Sequence, residues 1–169
     1  MSDLHEQLRY RLEGRACLMG IGNVDYGDDG FGVRLAEKLQ REGTPDVIVA
    51  GTAPERYLGR VADEDFDHLI FLDAVDFGGI PGSVVFLNSS EIAARFPQVS
   101  THHISLGLLA KSVEANGRTS VWLLGVQPES LQRAESLTSP VETMLETLNE
   151  LLGGLRNVAH SHLADVTIC

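Results

Sequence analysis

The chain has 169 residues, which is typical of one domain with a sizeable core, and its 43% apolar and 22% charged residues exclude a disordered protein. Its formal net charge of −11 argues against nucleic acid or an anionic membrane as a partner, because both are themselves negatively charged. No apolar run approaches the roughly 20 residues of a membrane-spanning helix, and the charged start lacks a signal-peptide core, so we expect a cytoplasmic protein.

The predicted elements alternate between helices and strands along most of the chain. They are, in chain order, a peripheral helical lead-in at residues 1–14, a strand at 16–19, a helix at 30–42, a strand at 47–50, a helix at 53–61, strands at 68–74 and 83–87, helices at 90–95 and 104–115, a strand at 119–126 and a helix at 139–153. Asp28 or Asp29 can cap the first long helix. The last helix has Ser139 as its N-cap, Pro140 and Glu142 in its first turn, and Gly153 at its end.

This alternation predicts an α/β fold, a single-domain three-layer sandwich. Its mostly parallel, twisted five-stranded sheet carries helices on both faces. The fourth strand follows the third too closely for a helical crossover, which predicts one antiparallel edge strand. We expect the lead-in at 1–14, one α/β domain at 15–154 and a C-terminal tail at 155–169.

Two carboxylates follow strand ends in this scheme. Asp29 comes after the first strand, and Asp73 ends the third. If the strand order is 2-1-3-5 with the fourth strand at an edge, both residues flank the point where the winding reverses, which is where such sheets bind ligands. Carboxylates there attract cations. The simpler alternative is that Asp28 and Asp29 act only as helix caps.

Other kinds of site fit the sequence less well. The turn after the first strand has Asp25 where a dinucleotide fingerprint needs its third glycine, and the neighbouring carboxylates would repel a pyrophosphate. The chain has no G-x-x-x-x-G-K-[ST], G-x-S-x-G or H-E-x-x-H motif. Cys17 lies in a buried strand and is expected to be inert packing, with no disulfide to the terminal Cys169.

A third metal ligand would have to come from the six histidines. His68 opens its strand at the end away from Asp73. His5, His160 and His162 lie near the termini. His102 and His103 form a pair in a loop just before a predicted helix, and the residues alone leave open whether either is a ligand.

Five stretches follow one another along the chain: G-I-G-N-x-x-x-x-D-D-G-x-G from Gly20, Gly51-Thr-Ala-Pro-Glu55, Ile70-Phe-Leu-Asp73-Ala74, Ser100-Thr-His102 with Leu106, and Leu124-Gly-Val-Gln-Pro-Glu129. In this order they resemble the hydrogenase maturation endopeptidases, which trim the large subunit of [NiFe] hydrogenases. The resemblance covers roughly residues 15–152, nearly the whole chain.

The resemblance implies a function and a site. The function is removal of the C-terminal extension of a [NiFe]-hydrogenase large-subunit precursor after nickel insertion. Asp29, Asp73 and His102 would be both the metal-binding and the catalytic residues, an oxygen and nitrogen set that suits a divalent transition metal. The metal implied is nickel, supplied by the precursor. The implied partner is thus the nickel-loaded precursor, and the protein is expected to be a monomer.

The sequence departs from the family pattern at two places. Asp29 stands where many relatives have the longer Glu, so Asp28 and Asp76 are kept as further candidate ligands. Val49-Ala50 replaces the Asp-Gly of the family's D-G-G-[TS] loop. Two alternative functions therefore stay open: a nickel-checking chaperone that holds the precursor without cutting it, and a metal-dependent hydrolase of small molecules.

Overall fold

A five-stranded sheet separates two helical layers. The computed structural model describes residues 3–96 and 105–166, with side chains through residue 161. The strands are β1 (Ala16–Ile21), β2 (Val47–Gly51), β3 (His68–Ala74), β4 (Val84–Asn88) and β5 (Ser120–Val126). The helices are α1 (Leu4–Leu12), α2 (Phe31–Arg41), α3 (Leu58–Asp63), α4 (Ser89–Arg95), α5 (Leu106–Glu114) and α6 (Ser139–Val166). Short 3-10 turns at Gly27–Gly30 and Pro54–Tyr57 precede α2 and α3.

The sheet has the order β2-β1-β3-β5-β4. The pairs β1–β2, β1–β3 and β3–β5 are parallel, and β4 pairs with β5 in the antiparallel sense. The antiparallel edge strand and the α/β fold class are therefore confirmed, and the sheet has the strand order on which the expected meeting of Asp29 and Asp73 depended. Every residue of β1 is buried, as expected of a strand that is covered on both faces.

Each face of the sheet carries its own apolar cluster. On one face, α3, α4 and α5 pack through residues such as Val61, Ile92 and Leu109. On the other face lie α1, α2 and α6, where Leu8 and Leu12 are buried. The segment expected at the periphery is thus part of the core, because α1 packs its leucines beside α6.

The predicted limits of the last helix were wrong at both ends. The helix already includes Ser139, so the residue before it is Thr138. It also continues past Gly153 to Val166, through the segment expected to be a tail. Arg156 explains the extension, because this residue is only 1% exposed and its guanidinium donates to Asp46 Oδ2 over 3.2 Å. The domain boundaries expected after residues 14 and 154 remain predictions.

Within the described part of the chain, none of the helices combines the length and the hydrophobicity that crossing a bilayer requires.

Candidate functional site

The start of α2 packs directly on the carboxyl ends of β1 and β3. A Cβ atom on Gly32 would lie 1.9 Å from the carbonyl oxygen of Leu72 and 2.5 Å from that of Ile21. A Cβ on Gly20 would lie 2.3 Å from the carbonyl oxygen of Gly32. Only glycine leaves room for such backbone contact. The contact draws the loop between β1 and α2 over the end of β3.

Asp29 and Asp73 come together at this place. Asp29 lies in the 3-10 turn before α2 and is 4% exposed, and Asp73 lies in β3 and is 2% exposed. Gly22 lies beside both, with a φ of 138°. A Cβ there would be 1.9 Å from the carbonyl oxygen of Asp29 and 3.8 Å from Asp73 Oδ1. This is the proximity that the strand order predicts, whereas the role of the two side chains as ligands stays a prediction.

Backbone donors orient both carboxylates. The N–H of Asn23 donates to Asp29 Oδ2 over 2.9 Å, and the N–H of Ala74 donates to Asp73 Oδ1 over 2.9 Å. Asn23 is held in turn by an Asx turn, in which its Oδ1 accepts from the N–H of Asp25. Each side chain therefore accepts a hydrogen bond from the main chain near it, Asp29 from the loop after β1 and Asp73 from the end of β3.

A small cavity opens beside Asp29. Its volume is about 260 Å³, and its lining includes Asn23, Tyr26, Asp29, Thr52 and Leu131. Thr52 directly follows β2, so three separate segments contribute to this cavity. A larger cavity of about 540 Å³ lies between α1 and α6, away from the two carboxylates.

Asp28 has a different role from the one the sequence suggests. In the part of the chain that the structure describes, no side chain caps α2, so the predicted cap by Asp28 or Asp29 was wrong. The fully buried carboxylate of Asp28 instead accepts four hydrogen bonds from the loop before α6. The donors are the N–H groups of Glu129 (2.8 Å), Ser130 (3.1 Å) and Thr138 (2.7 Å) and the hydroxyl of Thr138 (2.7 Å).

Gln127 is a second residue that holds loops at this edge. Its Oε1 accepts from the N–H groups of Phe77 and Gly79, at 2.9 and 3.1 Å, and its Nε2 donates to Asp76 Oδ1 over 3.0 Å. The bond from Gln127, together with one from the N–H of Gly78, lowers the pKa of Asp76. Asp76 is thus engaged with the loop after β3. The only sequence signal for Gln127 was its place in the fifth family-like stretch.

His102 and His103 lie outside the described residues. Among the residues that are described, no group of three or more histidine, cysteine, aspartate or glutamate side chains could hold a metal ion. The described part of the site therefore supplies two carboxylates, Asp29 and Asp73. Whether His102 joins them stays a prediction.

Comparisons with known proteins agree on one family. A family model described as hydrogenase maturation protease matches residues 33–153, a range that includes Asp73 and begins after Asp29. The chain is 36% identical over 151 residues to the hydrogenase 2 maturation protease of Escherichia coli (strain K12), which covers 84% of this chain and 91% of that protein. It is 32% identical over 139 residues to the hydrogenase 3 maturation protease of the same strain, with 81% and 88% covered.

A solved structure gives the same answer for the fold. The crystal structure of a [NiFe] hydrogenase maturation protease from Thermococcus kodakarensis KOD1 matches with a TM-score of 0.75 at 33% identity. The match covers 85% of this chain and 93% of that one. Fold and sequence similarity therefore extend over most of both proteins.

Proposed function

This chain belongs to the hydrogenase maturation proteases, a family of peptide-bond hydrolases, and from that premise we propose its specific task. It removes the C-terminal extension of a [NiFe]-hydrogenase large-subunit precursor after nickel has been inserted. Asp29, Asp73 and His102 read the presence of that nickel, which arrives with the precursor. The observation that carries the proposal is that two buried aspartates from separate strand ends, Asp29 and Asp73, both lie beside Gly22.

The chemistry of the donor set supports nickel as the ion that is read. Two carboxylate oxygens and one imidazole nitrogen suit a divalent transition metal, whereas calcium prefers more oxygen ligands. Asp29 and Asp73 are oriented by the N–H groups of Asn23 and Ala74, so they need little reorganisation on binding. His102 supplies the nitrogen in this proposal.

Reading the metal explains how processing can wait for insertion. An empty precursor lacks the ion that joins the two proteins, so its extension is not held at the site. In the loaded complex, the ion can polarise the scissile carbonyl or lower the pKa of a bound water. The protein's own part is to hold two carboxylates at a fixed spacing.

The departure at Val49-Ala50 is compatible with this task. Ala50 is a buried residue of β2, and Gly51 turns the chain with a φ of 64° directly before Thr52. The side chain at position 50 therefore packs in the sheet, and Thr52 is the residue of this loop that faces the cavity beside Asp29.

We also propose that the protein is cytoplasmic and acts as a monomer. Light scattering on a sizing column tests the monomer, because it measures the molar mass in solution.

A processing assay tests the proposal. Purified protein is mixed with nickel-loaded and nickel-free precursor, and the C-termini are read by mass spectrometry. Cleavage is expected only for the loaded precursor. Asp29→Asn, Asp73→Asn and His102→Ala should each lower the rate by more than about 100-fold, since loss of groups that merely support metal ligands already costs about 10–100-fold. Asp25→Asn is the matched control, because Asp25 is exposed in the same loop as Asp29.

The other outcomes separate the alternatives. Tight binding of the loaded precursor without cleavage would show that the protein acts as a chaperone and not as a protease. A metal ion in the purified protein, with activity on small amides or phosphoesters, would favour a small-molecule hydrolase. Equal cleavage of loaded and empty precursor would contradict the reading of nickel.

A further inference from the structure

The cavity beside Asp29 has two apolar walls on an otherwise polar edge of the sheet. Tyr26 and Leu131 line it and are each 42% exposed, so two large side chains with apolar surface share one small cavity. Its volume of about 260 Å³ is below the roughly 300–1,000 Å³ of sites for small molecules. A cavity of this size suits one side chain of a bound peptide.

We propose that Tyr26 and Leu131 form the subsite for an apolar side chain of the precursor next to the bond that is cut. The inference rests on the proposed function and makes these two residues determinants of its specificity. Asp29 lines the same cavity, so a peptide held at Asp29 continues into it. An acidic side chain is disfavoured there, because it would meet the Asp29 carboxylate and two apolar walls.

Hydrogen bonds between two distant loops hold the apolar walls in place. Tyr26 and Ala134 form a parallel bridge. The N–H of Ala134 donates to the carbonyl oxygen of Asp25 over 3.0 Å, and the N–H of Gly27 donates to the carbonyl oxygen of Ala134 over 3.0 Å. Asp28 adds its four bonds to the same loop. Leu131 is therefore fixed relative to Tyr26, and Asp28 is a positioning residue for the subsite.

The polar members of the lining complement the apolar walls. Asn23 and Thr52 carry amide and hydroxyl groups that can bond to a peptide backbone, while Tyr26 and Leu131 accept the side chain. Sites for peptides commonly divide the work in this way, with affinity from the main chain and selectivity from side-chain pockets.

The test uses nickel-loaded large-subunit precursors in which each residue beside the cleaved bond is changed in turn to Leu, Ala or Asp. At one of the two positions, wild-type protein should cleave the Leu precursor at least about 10-fold faster than the Asp precursor, measured as kcat/KM. Leu131→Ser and Tyr26→Ser should each reduce that ratio to within about threefold of one, with the change mainly in KM. Val158→Ser is the control, since Val158 is 57% exposed on α6 and lies about 28 Å along the helix from Ser139.

The outcomes distinguish this inference from the proposed function. A wild-type ratio that both serine variants preserve would overturn the subsite while leaving the protease intact. The absence of any preference at either position would do the same. If the protein binds loaded precursor without cutting it, the preference for the Leu precursor over the Asp precursor is measured instead as the ratio of their Kd values. A wild-type protein that neither binds nor cuts would overturn the proposed function and the subsite together.

Discussion

Replacing Asp28 with alanine is expected to lower the free energy of unfolding by about 3–5 kcal/mol. Its buried carboxylate accepts four hydrogen bonds. Bonds to a charged group contribute roughly 1.5–3 kcal/mol each, or roughly 6–12 kcal/mol if all four were independent. The loss is smaller, because the exposed Glu129 and half-buried Ser130 recover water as a partner. Asp28→Asn keeps one acceptor oxygen, but its NH₂ group faces a backbone N–H donor. The free energy of unfolding of this variant is therefore expected to fall by about 1–3 kcal/mol.

Equilibrium unfolding in urea measures the free energy of unfolding of both variants, and thermal unfolding measures their Tm. For a chain of this size, the alanine variant should lower Tm by roughly 6–20 °C. Asp25→Asn is the matched control and should stay within about 0.5 kcal/mol of wild type, because Asp25 is exposed. An Asp28→Ala protein within about 1 kcal/mol of wild type would refute the idea that this carboxylate holds the loop before α6.

The remaining predictions concern packing and titration. Gly32→Ala would bring a Cβ to 1.9 Å from the Leu72 carbonyl oxygen and should lower the free energy of unfolding, measured in urea, by more than about 3 kcal/mol. Gly59→Ala is the control, because a Cβ there has nothing within 4 Å, and it should raise the free energy of unfolding by about 0.5–1 kcal/mol. Burial, with the nearby Arg11 charge, lowers the pKa of His68 in the folded protein. The contribution of the neutral imidazole to stability is complete above about pH 6.5, the ordinary pKa that applies in the unfolded chain, and it is lost as the pH falls through the lowered pKa. His68→Gln should therefore flatten the pH dependence of the unfolding free energy between pH 7 and 5, and an unchanged slope would contradict this. Burial raises the pKa of Cys17 to about 12, so a thiol reagent at pH 8 should label Cys17 only in urea. Because the chain also has Cys169, labelling is read on the Cys17 peptide by mass spectrometry, and rapid labelling of that peptide in the folded protein would contradict its burial.

Local patterns were sufficient to predict the strands, whereas their order entered only as a condition, which the sheet meets. The unbroken apolar runs ending at Met19 and Leu72 have the composition of doubly covered strands, and both became central strands. The short link between β3 and β4 excluded a helical crossover, and β4 is the antiparallel edge strand. The meeting of Asp29 and Asp73 follows from that order, because parallel strands end at the same edge of the sheet.

The role of Asp28 could not be predicted from neighbouring residues. An aspartate just before a helix has the same local pattern whether it caps that helix or binds a distant loop. Its partners lie 101 to 110 residues further along the chain. Gln127 is similar, because its bonds to Phe77 and Gly79 join segments that only the folded sheet brings together.

The continuation of α6 was missed for a different reason. Two adjacent glycines, Gly153 and Gly154, have the composition of a helix end. The helix continues because packing beyond them outweighs their weak propensity. Arg156 is buried against the loop before β2, where Asp46 Oδ2 lies 3.2 Å from its Nη2. A polar residue placed beyond two glycines gives no local sign of such burial.

The long separation between Asp28 and its partners also sets the order in which the molecule can be completed. As the chain is synthesised from its N-terminus, the turn after β1 emerges about a hundred residues before the loop that fixes it. Closing so long a loop is favourable only when many other contacts form with it, here those of β5 and α6. A nascent chain that stops before Glu129 therefore lacks all four of the hydrogen bonds that Asp28 accepts. The segment from Glu129 to Thr138 therefore decides when the turn after β1 takes its final shape.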